Sequence, residues 1–133
     1  MECSIVYYTA RKTSLCEKQL KRSFSELGLT LGSAAFAAGR EALGKELTRA
    51  FAASDMVCTV GGLTFGDSRG IRNIVSQAAA GSRPSLCRRL KNDSGDDGYL
   101  IRAGKQLLML LPDEPSQIEA MLRGATAAYI KSL

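Results

Sequence analysis

Three short apolar segments alternate with two amphipathic ones over the first 60 residues, and that order confines the chain to a sheet of parallel strands joined by helical crossovers. Residues 4–9 are rich in β-branched and aromatic side chains and read as a first strand. Ser14 followed by Glu17 has the spacing of a capping box, and Cys16, Leu20, Phe24 and Leu27 then recur at helical intervals up to a stop at Gly28. An alanine-rich strand is expected over 31–38. Gly39 precedes a second helix whose apolar face carries Leu43, Leu47, Ala50 and Phe51. Asp55 leads into the strand Met56–Val60, which ends abruptly at Gly61 and Gly62. Downstream, Ile71, Ile74, Val75 and Ala78 share one face and predict a third helix over 71–79. The polar stretch 81–98 reads as loop. Residues 99–102 and Gln106–Leu111 form a hairpin turning at 103–105. A last helix opens near Pro115 and continues past Tyr129, burying Ile118, Met121, Leu122, Ala125 and Tyr129. The expected fold is α/β, a three-layer sandwich on a mostly parallel mixed sheet with one antiparallel hairpin strand.

The 133 residues suit one compact domain spanning 1–133. The longest apolar run, 107–111, falls far short of the roughly 18 residues a membrane span needs. The first residues lack both a basic segment and a long apolar stretch, so neither a signal peptide nor a membrane partner is expected, and the chain reads as cytoplasmic. Cys3, Cys16, Cys58 and Cys87 show no metal-binding spacing; the first three read as small core residues of a reducing compartment. Histidine is absent, which removes Ser-His and Cys-His nucleophile schemes and leaves proton chemistry to carboxylates, Lys, Tyr or a bound metal. The net charge of +5 is spread along the chain without aromatic interleaving, which argues against nucleic acid, and such a charge fits a small phosphorylated ligand equally well.

The segment 60–70 lies between a buried strand and a helix, at the strand end where parallel sheets collect ligands. Gly61, Gly62 and Gly66 let backbone N–H groups approach an anion, and the next helix adds a partial positive charge. Thr64 and Ser68 offer hydroxyl donors, and Arg69 can pair with a phosphate through two parallel bonds. The spacing matches neither a dinucleotide fingerprint nor a P-loop. A tight turn holding no ligand is the alternative reading. Arg83, Arg88, Arg89 and Lys91 read as a solvated loop in preference to an anion-facing rim. Asp93, Asp96 and Asp97 lack calcium-loop spacing and read as surface. Of Tyr7 and Tyr8, which alternate across the first strand, one is expected in the core and the other near the strand's functional end.

Asp55, the strand Met56–Val60, Gly61, Gly62 and Leu63 resemble the core signature of the molybdopterin-binding domain family. That family includes molybdopterin adenylyltransferases, molybdenum-insertion proteins and competence-damage-inducible proteins. Gly104, Lys105, the strand Gln106–Leu111, Pro112, Asp113, Glu114, Pro115, Ser116 and the helix after them are similar to the family's hairpin, its Leu-Pro-Gly-x-Pro turn and its closing helix. The resemblance implies a phosphorylated pterin (molybdopterin) or related nucleotide bound at Gly61, Gly62, Leu63, Thr64, Gly66, Ser68 and Arg69 and at Pro112, Asp113, Pro115 and Ser116. It also implies a homo-oligomer of trimer type. The departures bear on chemistry. Thr64 stands where the family usually has glycine, and the family's loop aspartate aligns with Ser68 or Arg69, with Asp67 adjacent but out of register. Thr9 and Ala10 replace the Ser-Asp that often closes the first strand, and Asp113 replaces the glycine of the proline turn. Adenylyl transfer with Mg²⁺ wants carboxylates for the cation. That set is depleted here, so binding is the better reading. Two others stay open: a degenerate assembly module without pterin, and an adenylyltransferase using Asp67 and Asp113 in displaced roles.

Overall fold

The computed structural model describes residues 1–63, Gly70 and 86–133. The expected helix over 71–79, Thr64, Gly66, Asp67, Ser68, Arg69 and Arg83 lie outside the described residues. In chain order the elements are β1 (Glu2–Tyr8), α1 (Thr13–Leu27), β2 (Thr30–Ala37), α2 (Arg40–Ala53), β3 (Met56–Val60), β4 (Leu86–Leu90), β5 (Gly98–Ala103), β6 (Gln106–Leu111), α3 (Pro115–Met121) and α4 (Gly124–Lys131). The strands form one sheet in the order β2-β1-β3-β6-β5-β4. β2, β1, β3 and β6 are mutually parallel, β5 runs against β6, and β4 runs against β5. Among the described residues β5 is therefore the one reversed strand, as the hairpin reading expects.

β1 and β3 are central and covered on both sides, which explains why they read as nearly unbroken apolar runs. Alternation divides their side chains between two layers. Cys3, Ile5 and Tyr7 of β1 and Met56, Cys58 and Val60 of β3 meet Cys16, Leu20, Phe24 and Leu27 of α1 and Ile118, Met121 and Ile130 of α3 and α4. Val6, Tyr8 and Val57 meet Leu43 and Ala50 of α2 on the opposite face. Cys3, Cys16 and Cys58 are buried in the first layer, as expected of small core residues, while Cys87 is exposed. Both Tyr7 and Tyr8 end β1 with buried side chains, one in each layer, and neither is among the residues lining the cavity described below.

β2 is the edge strand and its register against β1 slips, Cys3 pairing with Leu31 and Ile5 with Ala34. The slip makes room for a polar knot. Ser4 Oγ lies 2.8 Å from Ser54 Oγ and accepts the Ser33 N–H at 3.2 Å. A Cβ on Gly32 would fall 2.8 Å from Ser4 Oγ, so glycine is required where the two strands close over the hydroxyls.

Three local expectations are corrected. The capping box does not form: α1 begins at Thr13 after a left-handed Lys12 (φ 54°), with no side-chain cap bond. The polar stretch 81–98 hides a strand, β4, because Arg88 and Arg89 occupy an edge whose partner faces are only half covered. The Arg88 guanidinium rests over the Tyr129 ring, 5.7 Å from its centre. The closing helix is two helices, since Gly124 adopts φ +61° and restarts the spiral. The restart turns Ala125 to solvent, leaves Tyr129 half-buried and buries Thr126 and Ile130 in their place.

Candidate functional site

The strand order reverses direction between β1 and β3, since the chain steps from β1 to one side for β2 and returns to the other for β3. Carboxyl ends of neighbouring strands at such a reversal leave a crevice that backbone ladders cannot fill. A cavity of about 680 Å³ lies there, lined among the described residues by Thr9, Arg11 and Lys12 after β1, Gly61, Gly62 and Leu63 after β3, and Pro112, Asp113 and Glu114 after β6. Gly95, Asp96 and Gln117 complete the lining.

The two glycines have different roles. Gly61 has φ +96°, and a Cβ there would fall 2.5 Å from the Tyr8 carbonyl oxygen and 3.0 Å from Ala10 Cα. Its N–H donates to Leu111 O at 3.0 Å. Gly61 therefore joins the three strand ends, and its donor is occupied. Gly62 (φ 78°) and Leu63 follow it into the cavity, and among the described residues neither N–H bonds to a backbone carbonyl. Leu63 also reaches back into the α2-side core, where it is buried.

The loop after β1 enters and leaves through left-handed residues, Thr9 (φ 46°) and Lys12 (φ 54°). Such conformations cost on the order of 1–2 kcal/mol for a side-chain-bearing residue and persist only where neighbours enforce them. Thr9 N–H is held by Ala37 O at 3.1 Å, and the far end is held by charge. Asp113 Oδ2 accepts the Arg11 backbone N–H at 2.8 Å and faces Arg11 Nε at 3.4 Å. Lys12 Nζ lies 2.5 Å from Glu114 Oε2. The same acids act on Cys16 one turn into α1: burial first, then the Asp113 and Glu114 charges, push its thiol up from 9.0 to about 11, against a smaller opposing effect of Lys12.

The loop 91–97 is a built wall. Asn92 N–H donates to Asp97 Oδ1 at 2.8 Å, Asn92 Nδ2 donates to Gln117 Oε1 at 2.9 Å, and Gln117 Nε2 donates to Ser94 O at 3.3 Å. Asp97 also faces Arg89 at 3.5 Å. Asp93 and Asp96 are exposed, as expected of surface, with Asp96 bordering the cavity; Asp97 is half-buried and consumed in holding the loop, which corrects the expectation for that residue. Of the rest of the wall, Glu114 falls inside the proline turn, whereas Arg11, Lys12 and Gln117 escape a motif search because no motif marks them. What places them is topology: parallel strands end on one side, so the loops after β1 and β6 must share an edge with the loop after β3.

Of the expected binding residues, Gly61, Gly62, Leu63, Pro112 and Asp113 are brought together at the cavity. Pro115 opens α3 at its first position, and Ser116 follows it; neither is among the lining residues. Arg88, Arg89 and Lys91 are also not among them. Among the described residues, no three His, Cys, Asp or Glu side chains are grouped to hold a metal ion.

No family model matches the chain, and no curated protein matches it. Solved structures do. A protein CinA of unknown function from Thermoplasma acidophilum superposes with a TM-score of 0.67 at 18% identity, covering 97% of each chain. A molybdenum cofactor biosynthesis protein B superposes with a TM-score of 0.71 at 14% identity, over 99% of this chain and 94% of that one. The molybdopterin biosynthesis enzyme MoaB from Thermus thermophilus gives 0.65 at 15% identity, over 96% and 89%. The fold is that of the molybdopterin-biosynthesis and CinA proteins. Agreement extends over nearly the full length of both partners in each case, so the likeness is to the whole fold and not to a part of it. Identities this low speak for the fold, and the ligand has to be argued from the cavity.

Proposed function

We propose that the chain is a molybdenum-cofactor-biosynthesis-like binding domain, residues 1–133, that holds a phosphorylated pterin of the molybdopterin type, or a related nucleotide, in the cavity at the carboxyl ends of β1, β3 and β6. The observation that supports this reading is the position of Gly62 and Leu63: both line the crevice at the sheet's point of reversal, and among the described residues neither N–H is taken by a backbone carbonyl, so a phosphate is a natural acceptor there. The cavity is in the size range of sites for ligands as large as a nucleotide. Three structural neighbours carry molybdenum-cofactor or molybdopterin biosynthesis in their descriptions, which favours a pterin over other phosphate esters. Thr64, Gly66, Ser68 and Arg69 continue the loop in sequence and supply further donors in this reading, with Pro115 and Ser116 beyond the proline turn. Self-association of trimer type belongs to the same proposal. Among the described residues no helix is long and apolar enough to cross a membrane.

Binding is proposed in preference to turnover. A divalent cation for adenylyl transfer would draw on Asp67 and Asp113, and Asp113 is already engaged by Arg11. The paired acids across the rim favour one second reading, a relative that has exchanged its ligand for an assembly role. A thermal-shift series separates the two. Molybdopterin, or ATP with Mg²⁺, raises the unfolding temperature under the first reading, because a ligand that prefers the native state must stabilise it. A flat response to every phosphorylated compound favours the second. Release of pyrophosphate from ATP would establish turnover and make Asp67 the first residue to replace.

A further inference from the structure

The cationic side of the cavity already holds an anion, and the chain itself supplies it. One oxygen of Asp113 takes both the Arg11 backbone N–H at 2.8 Å and the Arg11 Nε at 3.4 Å, an amide-plus-guanidinium cradle of the kind that receives a phosphate oxygen. Beside it Lys12 Nζ meets Glu114 at 2.5 Å. These two pairs join the loop after β1 to the loop after β6, and all four residues line the cavity. The bases are the more open partners: the Arg11 side chain is 81% exposed against 19% for Asp113. Only Nε of the Arg11 guanidinium has a partner among the described residues, which leaves its terminal nitrogens for a second acceptor. The loop presenting them is held in two left-handed conformations at Thr9 and Lys12, which fixes the backbone that carries the cations at the cavity's edge.

We propose that Arg11 and Lys12 form an anion subsite for a phosphoryl or diphosphoryl group, and that Asp113 and Glu114 occupy it as an internal competitor which the incoming group displaces. The subsite is the charged half of the cavity, and its assignment to a phosphorylated ligand rests on the proposed function above. Displacement breaks two ion pairs whose basic partners are open to solvent, which weakens each pair, so an anion of higher charge prevails over a carboxylate there. The internal acids therefore act as a threshold. Weakly charged anions are excluded, and groups carrying two or more charges enter.

Calorimetric titration with inorganic pyrophosphate at fixed ionic strength tests this. The variant D113N/E114Q keeps an acceptor for the Arg11 N–H and removes only the competing charge; a matched variant, D93N/E119Q, removes two charges elsewhere. The expected result is binding about tenfold tighter in D113N/E114Q than in the natural chain, with no such gain in D93N/E119Q. Adding R11A to D113N/E114Q abolishes the gain. Equal or weaker binding, binding by neither protein, an equal gain in the matched control, or a gain that survives R11A overturns the proposal. Thermal unfolding of each variant verifies that it is folded; if the double variant is not, D113N alone is titrated against D93N with the same expectation at smaller size. Molybdopterin and ATP titrated into the same proteins keep the two claims apart. If they bind both proteins equally, the pterin reading stands and the internal competitor falls. If pyrophosphate shows the gain while neither compound binds, the subsite stands and the pterin reading falls.

Discussion

Replacing Gly61 with alanine puts a methyl group where three strand ends converge. The new Cβ would lie 2.5 Å from Tyr8 O and 3.0 Å from both Ala10 Cα and Cβ, in a residue at φ +96°. The conformation alone costs about 1–2 kcal/mol for a residue with a side chain. Relieving the contact requires backbone movement of the loop after β1, an overpacking cost of about 1–3 kcal/mol. The sum, about 2–5 kcal/mol, is a large share of a stability that for small domains is only about 5–15 kcal/mol. Gly104 provides the control: it also has positive φ, at +60°, but a Cβ there meets nothing within 4 Å. G104A therefore carries only the conformational cost. Urea unfolding with linear extrapolation, at unchanged m-value, reads the difference directly. G61A should exceed G104A by about 1–3 kcal/mol. Equal losses in the two variants would refute the claim that Gly61 is required by the close approach of the β1 loop.

Cys16 makes a pH-dependent prediction. Its folded-state pKa is raised from 9.0 to about 11, so its contribution is fully present below pH 9 and is lost as pH climbs from 9 towards 11, where the unfolded thiol ionises and the folded one does not. The stability gap between the natural chain and C16A should shrink by about 2 kcal/mol over that window, and a gap that does not change with pH would contradict it. Gln117→Ala removes two side-chain bonds that hold the loop 91–97, at about 1–2 kcal/mol in all. Amide hydrogen exchange at Gly95 and Asp96 should accelerate, whereas unchanged exchange would mean that Asn92 and Asp97 hold the wall unaided.

Much of this molecule is legible in its sequence because the buried strands leave little choice. Met56–Val60 is covered on both faces and reads as a nearly unbroken apolar run, and the parallel pairing of β1, β2 and β3 follows from the strand–helix alternation before it. Gly61 and Gly62 are legible for the same reason, as the first residues past that run. What stays hidden depends on tertiary partners. β4 presents arginines because it is an edge strand, and its sequence resembles a loop until β5 is beside it. The break at Gly124 looks like an isolated glycine inside one helix, and Ser14 and Glu17 have capping-box spacing that the left-handed Lys12 overrides. A third of the residues lining the cavity, Arg11, Lys12, Asp96 and Gln117, are ordinary polar residues that only the sheet's topology assembles. Asp113 is legible as a departure from a glycine-containing turn, but its engagement with Arg11 is visible only in the folded chain.

The most direct test is an amide-resolved NMR titration with a phosphorylated pterin. The account predicts that the Gly62 and Leu63 N–H resonances move with saturable dependence on ligand, while Gly61 N–H, already donated to Leu111 O, moves least of the three. Shifts confined to other surfaces, or none at saturating ligand, would contradict it.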